Sequence, residues 1–128
     1  MAAMPGAAHF QVLTAAGSEG EAAAIADALL ERRLAACVQV LGPMRSRYRW
    51  KGRVESAEEW LVVAKTTAAA VEEAMDEIGR RHSYDEPEVT ATPIVAGSAG
   101  YLAWIDAEVA PPATPKAPPA HPGRTLGP

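Results

Sequence analysis

The sequence predicts a single α+β domain, in which helices cover one face of an antiparallel four-stranded sheet and a short helix follows at the C-terminal end. Two observations predict this fold class. The chain has 128 residues, which is enough to bury one core but not two. Along it the spacing of apolar residues switches repeatedly between two and nearly four, which are the periods of strands and helices. The switches give the order βαββαβ plus a terminal helix, the split βαβ arrangement of ferredoxin-like sandwiches.

The first strand and helix are predicted between residue 9 and residue 30. His9 to Thr14 carries apolar residues bounded by turn residues, as a strand does. Ser18 followed by Glu21 matches a capping box, which marks the start of a helix. The helix stripe then consists of Ala22, Ile25, Ala26, Leu29 and Leu30.

A long hairpin is predicted next. An apolar strand begins at Cys37 and meets Gly42 and Pro43, where we expect a kink or bulge. Strict alternation from Arg45 to Trp50 resumes the strand, with three arginines on one face and Ser46, Tyr48 and Trp50 on the other. Lys51 and Gly52 supply the turn. The return strand carries Glu55, Glu58 and Glu59, so basic and acidic side chains are expected to pair across the hairpin.

The remaining elements are a second helix, a last strand and a short helix. Thr66 or Thr67 can cap the second helix, whose apolar positions are Val71, Met75 and Ile78. Pro87 prevents further helix, and Val89 to Val95 is predicted as the fourth strand. Tyr101 to Ile105 has the spacing of a short amphipathic helix.

The two ends of the chain are predicted to lie outside the folded domain, which spans residues 9–109. Residues 1–8 are expected to be flexible. Residues 110–128 are dominated by Pro and Ala and have almost no large apolar side chain, so they are expected to be disordered.

Charge and cysteine content bear on partners and location. The formal net charge is −4 and the isoelectric point about 5.3, which should repel nucleic acid and anionic membranes. A single cysteine cannot form an internal disulfide. No export signal and no run of membrane-spanning length is evident in the sequence, and we expect a cytoplasmic protein without membrane contact.

Five stretches in order along the chain resemble the CutA family of divalent-cation tolerance proteins. They are residues 33–40 (RLAACVQV), 48–55 (YRWKGRVE), 65–67 (KTT), 101–105 (YLAWI) and 82–89 (HSYDEPEV), the last matching the family's His-Pro-Tyr-x-x-Pro-Glu motif in outline. The resemblance implies a PII-like homotrimer whose sheets join edge to edge, with a role in metal tolerance and no enzymatic activity. The large exposed rings and strand edges expected of the hairpin agree with self-association.

The chain also departs from the family pattern. Ser83 replaces the first Pro of the motif, and Gln39 stands where Asn is frequent. Some bacterial relatives have a second cysteine at the end of the first strand, where this chain has Leu13 and Thr14. A metal site that needs two thiols is therefore not expected.

The candidate metal ligands are Cys37, His82 and Glu88, with binding expected near subunit interfaces. A thiolate with an imidazole favours copper or zinc over magnesium or calcium. No cofactor is obligatory, and Cu(II) or another divalent cation is the candidate ion. Each residue also has a structural alternative, because Cys37 suits a buried apolar position and His82 suits a helix end.

A second hypothesis is a trimeric sensor or scaffold that binds a small anionic metabolite in clefts between subunits. The candidate cleft residues are Arg49, Trp50, Lys65, Tyr84, Asp85 and Trp104.

Two further functions are disfavoured. Arginines interleaved with Tyr48 and Trp50 resemble a platform for single-stranded nucleic acid, but the acidic return strand is expected to neutralise them. For an enzyme, the chain lacks the GxSxG and GxxxxGK[ST] motifs, and residues 14–20 (TAAGSEG) suit a helix cap as well as an anion loop.

Overall fold

The computed structural model describes residues 6–110, which form four strands and three helices. In chain order these are β1 (His9–Ala16), α1 (Glu19–Glu31), β2 (Cys37–Trp50), β3 (Arg53–Thr67), α2 (Val71–Arg81), β4 (Val89–Pro93) and α3 (Ala99–Glu108). The first five residues and the predicted Pro/Ala-rich tail from residue 111 lie outside the described residues.

The strands form one sheet in the order β2-β3-β1-β4, and every neighbouring pair is antiparallel. With the helices, this arrangement confirms the predicted ferredoxin-like α+β fold. Strands β2 and β4 are the two edges of the sheet.

The core lies between one face of the sheet and helices α1 and α2. Alternate residues of β1 and β3 point to this face, because successive side chains of a strand point to opposite sides. The buried cluster includes Phe10, Val12, Val62, Ala64, Ile25, Leu29, Val71, Ala74 and Ile78. Burial of these apolar side chains is the main stabilising contribution of the fold.

Helix α3 packs at the end of the sheet where β1 begins. Ile105 is fully buried and packs against Ala70. His9 Nε2 lies 2.9 Å from Asp106 Oδ1, and the Ala110 amide donates to the carbonyl oxygen of Arg33 at 2.9 Å. These contacts attach the C-terminal helix to the sheet. Among residues 6–110, no helix is long and apolar enough to cross a membrane.

Several element boundaries differ from those predicted. Ser18 caps α1, since its Oγ accepts from the Glu21 amide at 3.1 Å, but the Glu21 carboxylate bonds to Ser83 instead of completing a capping box. Helix α2 begins after Ala70, whose amide donates to Thr67 Oγ1 at 3.2 Å. Thr66 is buried within β3, so it does not cap α2.

The β2–β3 hairpin extends beyond the sheet, and we call its outer part, residues 44–59, the arm. The predicted irregularity is confirmed, because the strand register shifts between Leu41 and Met44. The predicted turn is also confirmed. Lys51 and Gly52 have φ values of 51° and 80°, as the tight turn of a two-residue hairpin requires.

Candidate functional site

A cleft of about 720 Å³ lies between the arm and residues 82–88, which we call the 82–88 loop. The arm provides residues of β2 and β3, and the loop connects α2 to β4. Its lining residues are Ala15, Ser46, Arg47, Tyr48, Trp50, Glu59, Tyr84, Asp85, Glu86 and Glu88. Rings and carboxylates therefore dominate the cleft, and Arg47 is its only cationic lining residue among the described positions.

Glu59 and Tyr84 join the two walls of the cleft. The Tyr84 hydroxyl donates to Glu59 Oε2 at 2.9 Å. Burial raises the pKa of Tyr84 to about 12, and its hydrogen bond to the Glu59 carboxylate adds to the rise. Glu59 is 9% exposed and forms no ion pair within the described part of the chain. The cleft thus holds a largely buried glutamate that forms no ion pair within residues 6–110.

His82 fixes the start of the loop. Its Nε2 is 2.9 Å from the Ala15 carbonyl oxygen, which can only accept, so Nε2 carries the proton. Nδ1 accepts from the Tyr84 amide at 3.2 Å. The imidazole side chain is completely buried. Both ring nitrogens are therefore engaged in holding the loop against β1.

Ser83 adds a second attachment, to helix α1. The Ser83 amide and hydroxyl donate to the Glu21 carboxylate at 2.7 and 3.1 Å. Burial opposes ionisation of Glu21, but these hydrogen bonds hold its pKa below the usual value. Proline, which the resemblance places at this position, has no amide hydrogen to donate. The departure from the motif therefore allows a backbone hydrogen bond that proline could not donate.

Gly17 permits the close packing of Tyr84. A Cβ atom at residue 17 would lie 2.9 Å from the Tyr84 hydroxyl oxygen, closer than real Cβ contacts allow. A larger residue here would require Tyr84, which crosses the end of β1 to reach Glu59, to move.

The cleft contains some of the predicted ligand residues and leaves out others. Trp50, Tyr84 and Asp85 line it, as does Glu88, which was predicted as a metal ligand. Three further candidates lie outside it within one chain. Lys65 Nζ donates to Gln39 Oε1 at 2.9 Å, Trp104 packs against Tyr101 on α3, and Arg49 is an exposed arm residue. Their place in an intersubunit cleft remains a prediction.

The predicted metal ligands do not come together within a single chain. Cys37 pairs with Lys65, whereas His82 binds Ala15, whose partner on β3 is Leu61. Four residues along a strand span about 13 Å. Residues 6–110 contain no group of three or more His, Cys, Asp or Glu side chains arranged to hold a metal ion. A shared site for Cys37, His82 and Glu88 remains a prediction that requires residues from more than one copy.

The alternatives to metal binding were a buried apolar position for Cys37 and a helix-capping role for His82, and the structure differs from both in detail. Cys37 is only partly buried, and its thiol lies near Tyr101, where it adds to the rise in the pKa of that tyrosine after the larger effect of burial. His82 does lie at the C-terminal end of α2, but it donates to the β1 backbone and not to the carbonyls of its own helix.

The expected pairing of opposite charges across the arm is met in register at one position, and no ion pair forms there within the described chain. The register places Arg45 opposite Glu58, but Arg47 faces Ser56 and Arg49 faces Val54. None of the three arginines forms an ion pair with another described residue. The arginine spacing indicated a strand correctly, and the two-residue turn at Lys51 and Gly52 sets the register that decides which charges meet, because Trp50 pairs with Arg53 and the pairs continue without a break to Arg45.

Sequence reasoning did not assign six lining residues to the cleft: Ala15, Ser46, Arg47, Tyr48, Glu59 and Glu86. Tyr48 lies in phase with Trp50, so the alternation of the arm was a usable signal. Glu59 lies in phase with Leu61 and Val63, which places it on the face opposite the helices. Its contact with Tyr84 joins residues 25 positions apart and left no local signal.

Fold and cleft together define a class of protein: a small ferredoxin-like α+β domain with a projecting β-arm and a cleft of rings and carboxylates beside it. The family model described as "CutA1 divalent ion tolerance protein" matches residues 10–108. The chain therefore belongs to the CutA1 family of divalent-ion tolerance proteins.

Individual relatives agree with this assignment. The chain is 42% identical over 94 residues to the divalent-cation tolerance protein CutA of Thermus thermophilus, covering 73% of this chain and 91% of that protein. It is 41% identical over 101 residues to the CutA of Archaeoglobus fulgidus, covering 79% of this chain and 97% of that protein.

Solved structures show the same fold. The structure of CutA from Xylella fastidiosa has a TM-score of 0.78 at 32% identity, covering 80% of this chain and 98% of that one. The A. fulgidus structure, named as a periplasmic divalent cation tolerance protein, has a TM-score of 0.77 at 39% identity. The match covers 80% of this chain and 99% of that one. An Arabidopsis thaliana relative, 38% identical over 63% of this chain and 44% of its own length, is named chloroplastic. Relatives therefore carry names from different compartments, and the cytoplasmic location of this chain stays a prediction.

Proposed function

We propose that this protein is a non-enzymatic homotrimer of the divalent-ion response, and that it binds a divalent cation weakly at the cleft where a neighbouring copy closes it. Copper(II) is the first candidate ion. The observation that carries the proposal is the charge of the cleft, in which four carboxylates face a single guanidinium. The family name supports the link to divalent cations.

The trimer is supported by surfaces that a single chain leaves open. On the hairpin, Val40, Leu41, Trp50 and Val54 are between 39 and 56% exposed. Strand β2 is an edge strand of 14 residues whose outer side pairs with no other described strand. A long edge with exposed Val40 and Leu41 favours pairing with another chain, while the arginines of its outer half would limit unspecific pairing. Association of copies along β2 would cover the edge and the apolar side chains of Val40 and Leu41 on it.

The proposed location of the metal site rests on which candidate ligand side chains are not already held by hydrogen bonds within the chain. Engaging His82 would break a hydrogen bond that holds the loop, and Cys37 lies toward the other end of the sheet. Glu88, Asp85 and Glu86 are exposed on the loop. Few ligands from one chain imply weak binding unless a second chain adds its own.

Calorimetric titration of the intact protein with Cu(II) tests this function, with assembly checked by light scattering. Glu88→Gln should weaken binding, whereas Glu72→Gln, at an exposed position of α2, should not. The variants His82→Ala and Cys37→Ala test the sequence-based ligand set. A trimer that binds no divalent ion, or binds equally well with Glu88→Gln, would contradict the proposed site.

The second candidate is a PII-like sensor or scaffold for a small anionic ligand between subunits. Arg45, Arg47 and Arg49 favour it, because none of them forms an ion pair with a described residue of its own chain. This candidate would become the primary one if the protein bound an anion saturably and did not bind Cu(II). The anion binding should be lost in Arg49→Ala or Lys65→Ala.

A further inference from the structure

Among residues 6–110, Glu59 and Glu77 are the acidic residues that are at most 9% exposed, and only Glu77 forms ion pairs there. Glu77 is 4% exposed and accepts from Arg32, Arg80 and Arg81 at 2.6, 2.6 and 2.5 Å. Glu59 is 9% exposed, yet its only hydrogen bond among the described residues comes from the Tyr84 hydroxyl. A buried carboxylate is costly unless a cation accompanies it. Glu59 therefore has no cationic partner within residues 6–110, and its Oε1 atom, which is not fully buried, is left without a hydrogen bond where the side chain lines the cleft.

Three aromatic side chains line the cleft beside this carboxylate. Tyr48 is 43% exposed, Trp50 is 56% exposed and Tyr84 is 40% exposed, so their rings are available to a molecule in the cleft. The electron-rich faces of such rings attract cations within about 6 Å. Lys51 shows this in the chain itself, with its ammonium 5.8 Å from the centroid of the Trp50 ring.

The other charged residues of the cleft favour a ligand with a positive charge. Asp85, Glu86 and Glu88 on the loop add to Glu59, and Arg47 alone opposes them. An anion would meet more repulsion than attraction. A single metal ion would occupy little of a volume of about 720 Å³ and would leave the rings unused. A larger cation with an apolar body would use the carboxylates, the rings and the volume together.

We propose that the cleft binds an organic cation, an ammonium group carried on an apolar or aromatic body. The ammonium lies against Glu59, which supplies the unpaired carboxylate, and the body packs on Tyr48 and Trp50. This inference concerns the same cleft as the proposed function, but it does not depend on metal binding.

Calorimetry on the full-length protein tests the ligand class with three probes of similar size. They are phenethylammonium, its neutral analogue 2-phenylethanol and the anion 3-phenylpropionate. The ammonium should bind about tenfold or more tightly than the neutral probe, since a charge-assisted hydrogen bond is worth at least that factor. Equal affinities, or tighter binding of the anion, would overturn the proposal.

Matched variants identify the residue. Glu59→Gln keeps the shape and an acceptor for Tyr84 but removes the charge, and should abolish the preference for the ammonium probe. Glu72→Gln removes a charge from the exposed side of α2 and should leave the preference unchanged. Trp50→Ala, at an exposed ring, should weaken all three probes and remains informative if Glu59→Gln fails to fold.

Two further outcomes distinguish binding of an organic cation from pairing of Glu59 with a second copy and from metal binding. One outcome is that Glu59→Gln alters the assembly state and that phenethylammonium binds the wild-type protein no more tightly than 2-phenylethanol does. In that case a second copy supplies the cation that pairs with Glu59, and the proposal is wrong. Titration of the same samples with Cu(II) reports on the proposed function separately. Metal binding without a preference for ammonium would overturn this inference alone, whereas the reverse result would overturn only the metal site.

Discussion

Replacement of Glu77 by Gln should destabilise the protein strongly at neutral pH and much less in acid. Glu77 lies near the C-terminal end of α2 and receives hydrogen bonds from Arg32 on α1 and from Arg80 and Arg81 on its own helix. Burial opposes its ionisation, but the three guanidinium groups hold its pKa at about 2 instead of 4.5. The carboxylate therefore joins the two helices that cover the sheet.

The magnitude follows from this pKa. At about 1.4 kcal/mol per pKa unit, the difference corresponds to roughly 3 kcal/mol of stability at neutral pH. Because the arginine side chains are about half exposed, screening by water reduces the contribution to about 2 kcal/mol. Since the folded-state pKa is the lower one, this contribution is present above pH 4.5 and is lost as the pH falls toward 2.

Urea unfolding of wild type, Glu77→Gln and Glu72→Gln, at one protomer concentration and at two pH values, measures the effect. The Glu77→Gln variant should lose about 2 kcal/mol at pH 7, and its difference from wild type should shrink at about pH 2.5. Glu72→Gln, on an exposed position of the same helix, should change stability by less than about 0.5 kcal/mol. An equal loss from Glu77→Gln at both pH values would refute the electrostatic account.

Three other predictions concern the loop and the core. Gly17→Ala should displace Tyr84 from Glu59 and lower the thermal unfolding midpoint, since its Cβ would approach the Tyr84 hydroxyl within 2.9 Å; an unchanged midpoint would show that the loop shifts without cost. The hydroxyl of Thr14 is buried without a hydrogen-bond partner in the described structure, so Thr14→Val should leave stability unchanged or raise it by about 1 kcal/mol in urea unfolding; a clear loss would reveal a missing partner. Ultraviolet titration should find one tyrosine ionising near pH 12, and its pKa should fall in Glu59→Gln; because the folded-state pKa is raised from 10.0, stability should decline between pH 10 and 12.

Much of the fold could be predicted from local sequence. The alternation of Arg45 to Trp50 and the turn at Lys51 and Gly52 specify a hairpin without reference to other residues. The break at Gly42 and Pro43 is also local, since an internal strand cannot accommodate it without a register shift. Element ends were less predictable. For example, β4 ends at Pro93, two residues before the predicted end.

The cleft was less accessible to sequence reasoning because its contacts join distant segments. Trp50, Tyr84 and Asp85 were identified from the resemblance, but the role of Glu59 depends on Tyr84 crossing the end of β1. Similarly, His82 was predicted as a metal ligand or as a cap of its own helix. Its contact with the Ala15 carbonyl depends on how α2 returns to the sheet, which no local pattern encodes.

The most direct test of the proposed function is calorimetric titration of the assembled wild-type protein and its Glu88→Gln variant with Cu(II). The proposal predicts saturable, weak binding by a wild-type trimer and weaker binding by the variant, while Glu72→Gln behaves as wild type. A trimer that takes up no copper or other divalent cation, or one whose binding does not depend on the cleft carboxylates, would contradict it.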